Sequence, residues 1–254
     1  MLTQPILQNL QKLRFYGMLT ALEEQMRMPD IDKLGFEERL GLLVDREMTD
    51  REDRRLKARL RKAKLRQQAC VEDVDFRHPR KLDKRLFMNL AGCRWLKEHN
   101  NALIIGPTGV GKTYLACALA QKACRQGYTA LYFRLPRLLH DLSIAKADGR
   151  YDKVMTSISR TDLLVLDDWG LDKFAKEQRH DLLEILEDRH GLRSSLVTSQ
   201  VPVKHWHEVI ADPTLADAIL DRLVHNAYKL VLNGESMRKK QSKLTWENIF
   251  EIFL

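Results

Sequence analysis

The sequence predicts an α/β protein: a five-stranded parallel sheet built around a phosphate-type loop and preceded by a small all-α N-terminal domain. Three observations carry that expectation. From residue 91 onward, short apolar runs alternate with helical stretches, the pattern of a parallel sheet covered on both faces. The string Gly106-Pro107-Thr108-Gly109-Val110-Gly111-Lys112-Thr113 stands between one such run and a helical stretch. In the first 66 residues, by contrast, the apolar residues recur at helical spacing.

In chain order, Leu7, Leu10, Leu13, Met18, Leu19 and Leu22 suggest one amphipathic helix broken near Gly17. Phe36, Leu40, Leu43 and Val44 suggest a second, with the turn at Pro29-Asp30. A third covers Arg51 to Arg66, where nine Lys or Arg stand against Glu52 and Asp53, and Leu56, Leu60 and Ala63 form a narrow apolar seam. So many like charges on one helix repel one another, and a polyanion that takes the place of their counterions relieves the repulsion. Duplex DNA is the expected partner, with Arg54, Arg55, Lys57, Arg59, Arg61, Lys62, Lys64 and Arg66 as candidate contacts; a solvated helix paired with acids elsewhere is the alternative. Phe15 and Tyr16 are expected in the helical core. The domain limits that follow are 1–68 for the basic helical part, 69–90 for a linker and docking strap, and 91–254 for the α/β part.

The five expected strands are Ala102–Ile105, Ala130–Phe133, Leu163–Leu166, Ser195–Thr198 and Tyr228–Leu232, and a helix from Thr113 to Gln126 closes at Gly127. The loop from Gly106 to Thr113 fits G-x-x-x-x-G-K-[ST] in the strand–helix context that the motif requires. Its glycines let successive N–H groups point at phosphate oxygens, and the helix N-terminus adds partial positive charge. Gly106, Pro107, Thr108, Gly109, Val110, Gly111, Lys112, Thr113 and the adjoining Tyr114 are therefore the candidate ATP-binding residues. Lys112 is expected on the β- and γ-phosphates, and Thr113 on Mg²⁺.

A metal-bound nucleotide needs a carboxylate at a neighbouring strand end, and Leu163-Leu164-Val165-Leu166-Asp167-Asp168 supplies two. Asp167 is expected to hold Mg²⁺ and Asp168 to polarise the attacking water, although it is one methylene shorter than the glutamate more usual there. A helix N-cap is the competing use for such a pair, and the following Trp169-Gly170 starts a helix poorly. Ser199 and Gln200 end the fourth strand, either as γ-phosphate contacts or as a turn before Pro202. Arg222, on an amphipathic stretch, and Arg238, past the last strand, serve either as surface ion-pair partners or as γ-phosphate groups.

Composition excludes other classes. The apolar fraction of 44% with 31% charged residues is that of a globular chain, and the formal charge is +8. Apolar runs fall far short of the ~20 residues that cross a bilayer. The first residues do not start an export signal, and Cys70, Cys93, Cys117 and Cys124 lack metal-type spacing, so a soluble cytoplasmic protein is expected. Cys117 and Cys124 are expected as core thiols. His205-Trp206-His207 lacks a third ligand at recognisable spacing.

Taken together these residues resemble an AAA+ ATPase, and more narrowly the IstB transposition helpers of bacterial insertion sequences, relatives of the DnaC helicase loaders. The strings that carry the likeness are Leu163–Gly170 (LLVLDDWG), Thr198–Pro202 (TSQVP), Asp212–Val224 (DPTLADAILDRLV) and Gly234–Lys239 (GESMRK), and Arg46–Leu65 is similar to the family's N-terminal domain. The resemblance implies that Arg222 is an arginine finger entering a neighbouring subunit's ATP site. It implies that Arg238 is the sensor-2 arginine of its own site and that Ser199-Gln200 occupy the sensor-1 position. By resemblance to related proteins, Phe76 or Leu82 is placed against the base of the nucleotide. It further implies an ATPase that forms a homo-oligomer with ATP on duplex DNA, deforms that DNA and activates the transposase IstA, with residues 134–160 adding DNA contacts. A helicase loader is the neighbouring alternative. Only 20 residues follow Gly234, so an abbreviated lid is expected.

Overall fold

The computed structural model describes residues 3–237. The chain divides into two compact units, Met1–Arg59 and Leu60–Leu254, so residues 60–90 belong with the α/β part. Arg238 and the apolar stretch 244–254 lie outside the described residues.

The first unit contains α1 (Thr3–Lys12), α2 (Tyr16–Arg27) and most of α3 (Phe36–Ala63). The break between α1 and α2 falls at residues 13–15 rather than near Gly17. Arg14 adopts the left-handed conformation (φ 59°) that usually falls to glycine after a helix, and the Phe15 amide reaches back to the Leu10 carbonyl at 2.9 Å. Gly17 serves a different purpose. A Cβ there would lie 2.6 Å from the Glu47 Cα and 2.7 Å from the Arg46 carbonyl oxygen, so its missing side chain lets α2 touch the backbone of α3. The two expected helices over residues 36–66 are one continuous helix of 28 residues, because no breaker separates Val44 from Leu56 and the Glu47–Arg51 pair bridges successive turns.

Glu47 joins these helices. Its Oε2 accepts the amides of Gly17 at 2.7 Å and Met18 at 3.2 Å, which are unpaired donors in the first turn of α2. Its Oε1 accepts from Arg51 at 2.6 Å and meets Arg54 at 3.4 Å. Arg51 and Arg54 also lie over the rings of Phe15 and Tyr16 at 4.9 and 5.3 Å. Tyr16 is therefore an exposed surface residue under an arginine, not a core aromatic.

In the second unit, α4 (Lys84–Ala91) and α5 (Arg94–Lys97) lead into β1 (Asn101–Ile105), and α6 (Lys112–Arg125) follows the glycine loop. Gly127 (φ 95°) ends α6, as expected. Next come β2 (Ala130–Arg134), α7 (Leu135–Ala147), α8 (Tyr151–Ser159), β3 (Leu163–Trp169), α9 (Lys176–Arg189), β4 (Ser194–Ser199), α10 (Trp206–Ile210), α11 (Pro213–Val224) and β5 (Ala227–Val231). All five expected strands form one parallel sheet in the order β2-β3-β4-β1-β5. Leu103, Ile105, Leu164, Leu166 and Val197 point into a core with Leu138, Leu142, Ile185, Ile219 and Leu223 from the helices of one face. The alternate positions are buried as well, which is why these strands read as unbroken apolar runs.

At the amino edge of the sheet, the buried Arg189 at the end of α9 donates to the carbonyls of Ile158 (2.6 Å), Thr161 (2.8 Å) and Ser194. Burial pushes this guanidinium down to about 9, still charged at neutral pH. Its carbonyl partners offset the loss of water.

Burial alone raises the Glu47 carboxyl, but the hydrogen bonds from Arg51, Met18 and Gly17 outweigh it and hold its pKa below the ordinary 4.5. The stability it contributes is complete above the unfolded pKa and is lost as pH falls through the folded one. Glu47→Gln should therefore be less stable at pH 7 and should lose less further stability on acidification than wild type. Urea midpoints measured from pH 7 to pH 3 check this.

Candidate nucleotide site

The site lies at the carboxyl ends of β1, β3 and β4, where ligands bind in open α/β sheets. Gly106 continues from β1, with its amide on the Ser199 carbonyl at 3.1 Å. Gly109 and Gly111 have φ of 83° and 91°, and a Cβ on either would strike Ser236 Oγ at 2.0 Å or Arg80 Nη1 at 2.6 Å. Val110 is buried between them, and its carbonyl accepts from Arg80 at 3.0 Å. Lys112 folds back under the loop, donating to the Pro107 carbonyl at 2.8 Å. A cavity of about 590 Å³ opens above the loop, lined by Thr108, Gly109, Gly111, Lys112, Thr113, Tyr114, Asp168, Gln200 and Met237, with Arg66, Arg80 and Arg134 around it.

Asp167 is fully buried next to Thr113. Thr113 Oγ1 lies 3.1 and 3.0 Å from its two oxygens. The hydroxyls of Tyr132 and Thr198 also donate to this carboxylate. Burial, reinforced by the bond to Asp167, raises the Tyr132 phenol well above its ordinary range. A hydroxyl and a carboxylate converging at the phosphate end make a hard oxygen donor set that suits Mg²⁺, and the glycine cradle suits a polyphosphate. The residues present fit both groups.

Asp168 points the other way. It has φ 65°, where β3 slips its register between Leu166 and Trp169, and this rare conformation turns the side chain into the cavity. Its Oδ2 takes a hydrogen bond of 2.9 Å from Arg134 Nε. Trp169 then anchors the strand end against Phe174 and Trp206 at 5.5 and 4.8 Å.

The other expected site residues are dispersed. Gln200 lines the cavity. Ser199 is buried, and its hydroxyl donates to the carbonyls of Trp169 (2.9 Å) and Val201 (3.0 Å), so it fastens the strand end. Arg222 lies apart, on a second groove of about 810 Å³ with Lys204, His207, Asp217, Asp221 and Lys229, and its Nε is 2.5 Å from Glu187 Oε2. Met237, next to Arg238, donates its amide to the Gly109 carbonyl at 2.9 Å. Phe76 packs on Phe87 at 5.9 Å, and on that side the cavity is lined by Asp73, Asp75 and Arg80 instead. His207 meets Asp217 at 3.5 Å, and no metal-type cluster occurs among the described residues. Cys117 and Cys124 are buried in the core.

Of the basic series, Arg55, Lys57, Arg61, Lys62 and Lys64 are exposed and Arg59 is half-buried, while Arg54 is engaged by Glu47. Arg66 turns into the nucleotide cavity, with Nη1 3.7 Å from Asp167 Oδ2 and 3.9 Å from Asp168 Oδ2. Tyr132, Arg134, Arg80 and the inward role of Arg66 were not legible as site features in the sequence. For Arg134 a signal existed: it ends β2 in register with Asp167, one strand over from a recognised site residue.

Among solved structures, that of DnaI matches with a TM-score of 0.57 at 22% identity, covering 69% of this chain and 93% of that one. The sheet, the glycine loop and the two strand-end carboxylates define a P-loop nucleotide-binding protein of the AAA+ class. The family described as IstB-like ATP binding protein matches residues 8–245. An insertion-sequence ATP-binding protein of Sinorhizobium fredii (strain NBRC 101917 / NGR234), y4pL, is 52% identical over 243 residues, covering 96% of this chain and 99% of its own. The IS1162 ATP-binding protein of Pseudomonas fluorescens is 51% identical over 203 residues, covering 80% and 88%. The chain belongs to the IstB-like ATP binding protein family.

The cradle tolerates no side chain at Gly111, where positive φ and the nearby guanidinium act together. Gly111→Ala should weaken binding of a fluorescent ATP analogue by about tenfold or more, the strain of one disfavoured residue. Far-UV circular dichroism should be unchanged.

Proposed function

We propose that this chain is an ATP-hydrolysing AAA+ protein of an insertion sequence. In this reading it assembles with ATP into a homo-oligomer on duplex DNA, presents that DNA to a partner transposase of the IstA kind, and activates it. The observation that carries the reading is the pairing of Thr113 with the buried Asp167 beneath the glycine loop, while Asp168 turns outward into the same cavity. That arrangement separates two tasks: one carboxylate serves the metal, and its neighbour faces the place of the attacking water.

Lys112 leaves the Pro107 carbonyl for the β- and γ-phosphates. Asp168 orients a water and accepts its proton as the water oxygen bonds to the γ-phosphorus and the bond to the β–γ bridging oxygen breaks. Thr113 and Asp167 would hold Mg²⁺, which would supply charge neutralisation to the phosphates. Gln200 contacts the γ-phosphate or the water, and Arg238 reaches the γ-phosphate of its own site. Arg222, remote from its own cavity and on an open groove, supports action across a subunit boundary. The exposed Arg55, Lys57, Arg61, Lys62 and Lys64 support phosphate contacts along DNA, whose affinity falls steeply with salt. No helix among the described residues is long and apolar enough to cross a membrane, in keeping with action on DNA in the cytoplasm.

Electron microscopy of the protein with duplex DNA, with and without ATP, tests the assembly directly; particles that remain single subunits with both present would overturn it. Arg222→Ala should bind the ATP analogue as wild type does, yet fail to assemble and lose hydrolysis by on the order of a thousandfold, the range of a missing arginine finger. Lys112→Ala should instead lose nucleotide binding itself. Phosphate release with DNA present, read beside the binding titration, separates the two variants.

A further inference from the structure

Arg66 lies among side chains that a DNA-contacting residue has no reason to meet. Its Nη1 is within 4 Å of both strand-end carboxylates, one of which, Asp167, also accepts from the Tyr132 hydroxyl. Other cations near this pair are Arg134, which donates to Asp168 at 2.9 Å, and Lys112, which lines the cavity along with Asp168. Arg66 reaches both carboxylates. Asp167, with its neighbour one residue away, carries charge that must be matched by a cation, and Thr113 and Asp167 are the same donors that suit Mg²⁺.

We propose that Arg66 is a positioning residue of the nucleotide site that stands in for Mg²⁺: it neutralises Asp167 and Asp168 while the site holds no metal, and withdraws from them when ATP binds with its metal. This rests on reading the cavity as an ATP·Mg²⁺ site. One guanidinium and one divalent ion compete for the same two carboxylates, so the effect of each on nucleotide binding depends on the other. With the metal removed, Arg66 also shields the γ-phosphate from the carboxylates. With the metal present, that service is redundant.

The test is equilibrium titration of a fluorescent ATP analogue onto full-length wild type, Arg66→Met and Arg66→Lys, each in EDTA and in millimolar Mg²⁺. Arg66→Met should bind about tenfold more weakly than wild type in EDTA, and within about twofold of it, or more tightly, in Mg²⁺, a coupling of ordinary size between two sites. Arg66→Lys should fall between them in EDTA. In thermal melts without nucleotide, Mg²⁺ alone should raise the unfolding temperature of Arg66→Met more than that of wild type. Should Arg66→Met not fold, Arg66→Lys carries the comparison by the same ratio of EDTA to Mg²⁺ affinities. Equal weakening in both conditions makes Arg66 a direct phosphate ligand and overturns the proposal, as does an unchanged ratio. A wild type that binds no ATP analogue even in Mg²⁺ overturns the nucleotide reading itself, an outcome distinct from either of those.

Discussion

A single carboxylate, kept completely dry, organises the α/β part of this protein. Asp167 ends an apolar strand and would be intolerable there without partners, since an unmatched buried charge is among the costliest features that a fold can contain. Its partners come from four separate segments: Thr113 at the start of α6, Tyr132 within β2, Thr198 in β4, and Arg66 ahead of the sheet. Each of those segments must therefore stand in its observed place for the charge to be tolerated. The same requirement fixes the glycine loop, because Thr113 is its last residue. Fold and site share one electrostatic condition.

The neighbouring aspartate shows how two identical side chains acquire different surroundings. β3 keeps Asp167 in regular strand geometry and turns Asp168 over through a left-handed residue. One carboxylate faces hydroxyls in the interior, and the other faces arginines in an open cavity. The distortion stands where Trp169, edge-on to Phe174 and tilted against Trp206, grips the strand immediately beyond it. A backbone conformation of this kind persists only where its surroundings over-determine it, and the aromatic cluster does so here.

Much of this was legible in the sequence because it depends on local pattern. The strands are fully buried, so they appear as apolar runs, and the loop motif is contiguous, so its strand–helix context is recognisable at once. Gly127 closes α6 as its position suggested. Long-range pairings were not legible. Nothing about Gly17 separates a helix break from a close helix contact until α3 is laid beside it, and the true break uses Arg14, a residue with no turn signature. Arg66 is one basic residue in a run of nine, and only the folded chain distinguishes it as a residue lining the nucleotide cavity. Tyr132 was hidden inside a strand that was correctly recognised, its hydroxyl directed at a carboxylate 35 positions later.

Arg189 gives the opposite edge of the sheet a different mechanical character. Its guanidinium rivets the chain just ahead of β3 to the first residue of β4, far from the cavity. Sliding β3 past β4 would tear those bonds, whereas tilting the two strands about the rivet would not. Any movement in response to an occupied site is thereby restricted to the opposite tips, which can spread like the ribs of a fan while the handle stays closed.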